Sequence, residues 1–177
     1  MYLGGEFGSS DKSLDAYQAS VLFAVDRMCT YKKDLEKFYN DGGIIIFDRY
    51  VESNMLHQAG KLDNLSEIND YCDWLDQLEF DTLKLPRPNK VIFLDVPVEL
   101  SMRLAKERGV LKNQTTKDIH EQNPDHLKHA YACGKYMIDK YGWQSITCNT
   151  GDKMRTIEDI SDEIYSLVID DIENFTK

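Results

Sequence analysis

Residues 42–50 run Gly42-Gly43-Ile44-Ile45-Ile46-Phe47-Asp48-Arg49-Tyr50, four apolar residues set between a glycine pair and an acid-base pair. A half-exposed strand would alternate apolar and polar positions. A short run that is apolar throughout and rich in β-branched residues predicts a strand buried on both faces. Upstream, Leu14, Tyr17, Val21, Ala24, Met28, Tyr31, Leu35 and Phe38 recur at steps of three and four, which predicts a helix burying that stripe and stopped by Asp41-Gly42-Gly43. A coiled coil gives the same spacing, but the pattern runs into a strand and nothing later repeats it.

Downstream the apolar run recurs as Val91-Ile92-Phe93-Leu94 before Asp95, and more weakly as Ser145-Ile146-Thr147-Cys148. Helical patterns fill the intervals: Ser53 to Lys61, Ser66 to Lys84 (stopped by Leu85-Pro86-Arg87-Pro88), Val98 to Arg108, Pro124 to Tyr141, and a last helix with Ile157, Ile160, Ile164, Leu167, Val168 and Ile172. Strands alternating with helices describe an α/β fold, a parallel sheet flanked by helices. Residues 1–10 read as a loop, and no repeat or linker divides the chain, so residues 1–177 form one domain.

Of the 177 residues, 42% are hydrophobic, enough for one core, and 29% are charged, which excludes a disordered or low-complexity chain. No apolar run is long enough to span a membrane, and the N-terminus lacks the basic and apolar regions of a secretory signal. The net charge of -10 argues against nucleic acid as a partner but not against a small anionic ligand. Cys29, Cys72, Cys133 and Cys148 are widely spaced, as expected of reduced thiols in the cytoplasm.

In parallel sheets ligands sit beyond the carboxyl ends of the strands. Asp48 and Arg49 stand at such an end. A carboxylate there suits magnesium at a phosphate, and a guanidinium fork suits the phosphate itself; a structural ion pair at the sheet edge is the alternative. Asp95 is a rival for the acid, or a turn residue before Pro97. Phe23 and Arg27 share a helix shoulder and match a planar base and its edge, or an ordinary packing pair. Ser53, Asn54, His57 and Gln58 lie on the helix after Arg49, facing either an anion or water. His57 has no second histidine at ligand spacing, since His120, His126 and His129 are distant in sequence, so no zinc site is expected. Arg103, Lys106, Arg108, Lys112 and Lys117 form a basic stretch that fits a flap over phosphates or a solvated loop. No Gly-x-x-x-x-Gly-Lys-Ser/Thr phosphate loop is present; Gly4, Gly5, Gly8, Lys12 and Ser13 only imitate one.

Taken together, Leu22 to Arg27, Asp48-Arg49-Tyr50 with Ser53-Asn54 and His57-Gln58, Leu85 to Pro88, Val91 to Pro97 and Asp118 to Glu121 resemble the thymidylate kinase family in order and spacing. That family is known for phosphorylating dTMP to dTDP with ATP and magnesium. The resemblance implies a P-loop nucleoside monophosphate kinase-like fold. By it, Phe23 stacks on thymine, Arg27 bonds its edge, Arg49 holds the dTMP phosphate, and Asp48 sits by magnesium and the transferred group. Ser53, Asn54 and Gln58 contact the nucleotide. Residues 106–121 form a lid carrying Lys106, Arg108, Lys112 and Lys117, and Asn149, Thr150 and Gly151 lie near adenine. A homodimer through the first helix, with Leu22 and Val25, is a further expectation.

The sequence departs from the family at Asp118-Ile119-His120-Glu121, where an arginine is commonly found, at His57 in place of an aromatic residue, and at Asn54 in place of a smaller one. The resemblance also leads one to expect that the first strand, phosphate loop, helix and second strand are missing, a segment of roughly 30 residues or more. That leaves backbone groups unpaired at about 1–3 kcal/mol each and predicts weak or no activity for the chain alone. The alternatives to a dTMP kinase are a non-catalytic dTMP-binding remnant and a deoxynucleoside kinase acting on thymidine. The apolar strand runs argue against a helical interaction protein.

Overall fold

The computed structural model describes residues 13–112 and 124–175, without the side chains of 108–112 and 175. α1 (Ala16–Thr30) starts where Asp15 accepts the Gln18 backbone N–H at 2.7 Å and the Gln18 side chain accepts the Asp15 N–H at 3.2 Å, a reciprocal cap that satisfies two otherwise orphaned donors. The helix continues through a π-helical turn (Tyr31–Leu35) into α2 (Glu36–Asn40), which ends at Gly42 with φ 91°.

The buried face of α1 differs from the stripe expected of it. Ala16, Ala19, Ser20 and Ala24 are buried, whereas Tyr17 and Val21 are exposed. Small side chains let α1 approach α4 (Leu65–Asp76) closely enough for Ser20 Oγ to lie 2.6 Å from the Tyr71 hydroxyl. Tyr17 is held at the rim by the rings of Tyr71 and Trp74, with centroids 5.3 and 4.7 Å away. α4 buries Ile68, Tyr71, Cys72 and Leu75, a stripe at steps of three and four, and runs on as a π-helical turn (Gln77–Thr82).

α3 (Glu52–His57), followed by a 3-10 turn (Ala59–Lys61), packs on α6 (Pro124–Tyr141). Glycine permits that approach: a Cβ on Gly60 would meet the Ala130 backbone nitrogen at 3.0 Å, and one on Gly134 would meet the Phe93 ring at 2.6 Å. The core gathers Val51, Met55, Ala59, Tyr71, Leu75, Met137 and Trp143 from these elements.

β1 (Ile92–Asp95) leads into α5 (Val98–Lys112), and β2 (Gln144–Thr147) follows α6. β1 and β2 pair in parallel, Ile92 with Gln144 and Asp95 with Thr147, so the class is α/β with a parallel sheet. A small antiparallel hairpin, β3 (Asn149–Thr150) and β4 (Lys153–Met154), precedes α7 (Ile157–Phe175). No described helix is long and apolar enough to cross a membrane.

Residues 44–47 do not form the buried strand expected of them. They lie extended beside no partner among the described residues, and Ile46 is 86% exposed. A strand is defined by the ladder it shares; without a neighbour to take its N–H and C=O groups, an apolar run stays irregular. β1 is likewise paired on one edge only among the described residues, and Leu94 is exposed.

Candidate functional site

α1 and α3 carry most of the residues expected to contact the substrate. Positions 20, 23 and 27 lie on one face of α1. Ser20 donates to the Ala16 carbonyl at 2.7 Å and meets Tyr71, whose hydroxyl approaches the Asn54 carbonyl of α3 at 3.4 Å. Arg27 stands 5.5 Å from the Tyr50 ring centroid, just ahead of α3. The Tyr50 hydroxyl donates to the Pro86 carbonyl at 3.0 Å, and Phe47 stacks on its ring with centroids 4.6 Å apart. Burial pushes the Tyr50 phenol well above its ordinary pKa, so it stays a neutral donor. Arg27 thus lies by Tyr50, and Ser20 and Tyr71 link α1 to the Asn54 carbonyl, with Phe23 half-buried on the same face of α1.

Glu79 belongs to the same group. Its carboxylate is fully buried and takes both Arg27 Nη2, at 2.7 Å, and Arg27 Nε, at 3.1 Å. This residue was missed in the sequence, although a signal was there. The α4 stripe Ile68, Tyr71/Cys72, Leu75 continues by one step of four to position 79, which places an acid where a core residue belongs. A buried acid needs a cation, and Arg27 was the candidate at hand.

Asn54 and Gln58 are 4% and 2% exposed, and Asn54 Nδ2 and Gln58 Oε1 find no hydrogen-bond partner among the described residues. Leaving such an atom unsatisfied costs about 1–3 kcal/mol, so the pair marks a place where a ligand would supply what the protein does not. Ser53 is half-buried at the start of α3.

Asp48 and Arg49 are exposed, and neither enters an ion pair among the described residues. Arg49 takes φ 71°, the left-handed region that costs a non-glycine residue about 1–3 kcal/mol. The bend turns the chain from the apolar run into α3. Among the described residues no cluster of three or more His, Cys, Asp or Glu side chains could hold a metal. A lone free carboxylate is nonetheless the usual protein share of a magnesium site, the rest being phosphate and water, so Asp48 fits that ion.

Asp95 is accounted for structurally: Tyr131 donates to one oxygen at 2.8 Å and Lys135 to the other at 2.9 Å, tying β1 to α6. The Asp95 bond raises the Tyr131 phenol pKa. His57 is not isolated as expected. His126 of α6 lies with Nε2 3.4 Å from His57 Nδ1. The ring centroids are 5.6 Å apart and the planes differ by 14°, so the imidazoles meet end to end as in a hydrogen bond.

Lys106 is exposed on α5; the side chains of Arg108 and Lys112, Lys117 itself and the 118–121 segment lie outside the described residues. Arg103 of α5 donates to the Asp152 carbonyl, which brings the stem of the expected lid against the β3–β4 hairpin. There Asn149 donates to the Gly151 carbonyl at 2.7 Å, and Gly151 closes the turn at φ 56°.

The thymidylate kinase family model matches residues 8–158. A "Probable thymidylate kinase" of Pyrococcus horikoshii is 31% identical over 89% of this chain and 68% of its own length. One of Pyrobaculum calidifontis is 29% identical over 75% of this chain and 62% of its own length. A "Thymidylate kinase" of Mycobacterium tuberculosis is 28% identical over 70% of this chain and 56% of its own. The chain therefore matches about half to two thirds of the length of these relatives. With the α/β architecture and a family match over most of its residues, the chain belongs to the thymidylate kinase family, phosphotransferases of the P-loop nucleoside monophosphate kinase fold.

Proposed function

We propose that this chain supplies the acceptor side of a dTMP kinase, binding dTMP for phosphoryl transfer from ATP to give dTDP. The observation that carries the reading is the Arg27 guanidinium held by the buried Glu79, supported by Asn54 Nδ2 and Gln58 Oε1 of α3, buried without a hydrogen-bond partner among the described residues. A pyrimidine edge offers both donors and acceptors to such groups, and Phe23 offers a ring to stack on. Arg49, whose guanidinium enters no ion pair among the described residues, would face the acceptor phosphate. Asp48 would hold magnesium, which neutralises phosphate charge when bound. Lys106 and the basic stretch after it would cover the donor phosphates, and Asn149 to Gly151 would border adenine.

An Arg49 without an ion-pair partner among the described residues favours a phosphorylated acceptor over thymidine. Calorimetric titration tests this: dTMP is expected to bind at least about tenfold more tightly than thymidine, with Arg49→Gln abolishing the difference. Equal affinity for both would move the reading to a deoxynucleoside kinase. Because the sequence holds no Gly-x-x-x-x-Gly-Lys-Ser/Thr loop, transfer of labelled phosphate from ATP by this chain is expected to be slow. Binding without any turnover would make it a dTMP-binding remnant. Tyr17, Val21, Leu22 and Val25, exposed on α1, support a homodimer through that helix, which sedimentation would test.

A further inference from the structure

We infer that Glu79 is the positioning residue of base recognition: it sets the direction in which Arg27 presents its remaining donors, and with it the preference for one pyrimidine over another. The inference rests on the nucleotide reading above. A guanidinium carries its N–H groups in a rigid planar fork. Glu79 takes the edge formed by Nε and Nη2. The opposite edge, Nη1 and the outer hydrogen of Nη2, has no partner among the described residues and would serve a ligand.

One carboxylate fixes the in-plane direction of the fork, and the Tyr50 ring below it fixes the tilt. Tyr50 is itself held by its bond to the Pro86 carbonyl. The carboxylate reaches this place because the π-helical turn at Gln77–Thr82 continues the buried stripe of α4 beneath Arg27. Stability alone is a poor account of the pair. Burying two charges is expensive, and apolar replacements of such pairs are often neutral or stabilising.

What the pair does provide is polarity of readout. A guanidinium only donates, so an arginine locked in one direction accepts a carbonyl and refuses an amino group at the same position. Thymine presents a carbonyl at its position 4, and cytosine an amino group. An arginine free to swing would turn aside for the amino group and discriminate less.

The test is equilibrium titration of this chain with dTMP and with dCMP, in the parent, Glu79→Gln, Arg27→Lys and the double variant, with a melting curve for each. The parent is expected to prefer dTMP. Glu79→Gln is expected to lose about tenfold in dTMP affinity while dCMP binding stays unchanged, as the loss of one charge-assisted contact implies. In the Arg27→Lys background the same substitution is expected to change little, because Glu79 acts through Arg27. A Glu79→Gln protein that melts lower but keeps its dTMP preference overturns the inference, leaving Glu79 merely structural. A full additional loss on top of Arg27→Lys overturns it as well. A parent without any dTMP preference sinks the nucleotide reading first, and the inference with it. Should Glu79→Gln not fold, Glu79→Asp keeps the charge pair on a side chain one methylene shorter. Reduced preference in that variant supports the inference, and unchanged preference overturns it.

Discussion

Arg49 sits where a glycine would be comfortable. Relieving its left-handed backbone is worth about 1–3 kcal/mol, against about 0.5–1 kcal/mol of extra chain entropy for glycine in the unfolded state. Arg49→Gly is therefore expected to hold or raise the unfolding midpoint while dTMP affinity falls, which denaturation and titration of one variant would show together. A lower midpoint would mean the strain is absent. The cysteines divide as sharply: Cys29 is exposed, whereas Cys72, Cys133 and Cys148 are buried. Burial pushes the Cys72 and Cys133 thiols up to about 11. Iodoacetamide at pH 8 is expected to label Cys29 alone in the folded protein and the other three only in denaturant, as mass spectrometry would report. At this scale the shared helix face of Phe23 and Arg27 could be read from spacing, whereas the strand expected to carry Asp48 and Arg49 is not formed among the described residues. The His57–His126 contact could not be read, since sequence distance hides what α6 brings back across α3.

The elements follow local pattern where neighbours are present and depart from it where they are not. α4, α6 and the β1–β2 pairing lie close to the spans expected from periodicity, because each buries its stripe against another element. Residues 44–47 carry a strand pattern as strong as that of β1, yet they form no ladder among the described residues, because pairing is a property of two segments and the pattern describes one. On α1 the periodicity was right and the face was wrong: small residues won the contact with α4, and spacing alone does not weigh size. Substituting the outermost of the unpaired residues, Ile46→Lys, is expected to leave the melting temperature within about 0.5 kcal/mol equivalent and to reduce aggregation on concentration, measured by light scattering. A large destabilisation would show that Ile46 is buried in solution. Gly134→Ala probes the α6–β1 contact. The added methyl meets the Phe93 ring, with a Leu56 methyl 3.2 Å away on the other side, so a loss of about 1–3 kcal/mol is expected in urea unfolding.

At the scale of the molecule, the core is built by helices around a narrow sheet, and its titration follows from what that core buries. The Cys72 and Cys133 pKa values rise on folding from 9.0 to about 11, and those of Tyr50, Tyr71 and Tyr141 rise further above 10.0, all chiefly through burial. Raised values favour the folded state fully below the unfolded pKa and lose that contribution as pH climbs toward the folded one. Stability is expected to be flat from pH 7 to about 8.5, to decline between about 9 and 10 through the thiols, and to fall faster above 10 as the phenols join. Urea midpoints across that range would show it, and a Cys72→Ala, Cys133→Ala protein should lose most of the first part of the decline, the raised Cys148 thiol keeping the rest.

The parallel pairing of β1 with β2 has a temporal consequence. Two whole helices, α5 and α6, separate the strands in sequence, so closing that loop costs entropy that no contact repays until both helices are in place. The contact of α1 with α4 closes a loop of about the same length, Ser20 meeting Tyr71 across 51 residues, so neither part of the fold has a head start. Nature has placed one tryptophan in each part: Trp74 on α4, and Trp143 immediately before β2. Refolding followed through Trp143→Phe, which leaves Trp74 as reporter, should keep pace with refolding followed through Trp74→Phe. The two indoles then act as two clocks that tell the same time in one assembly.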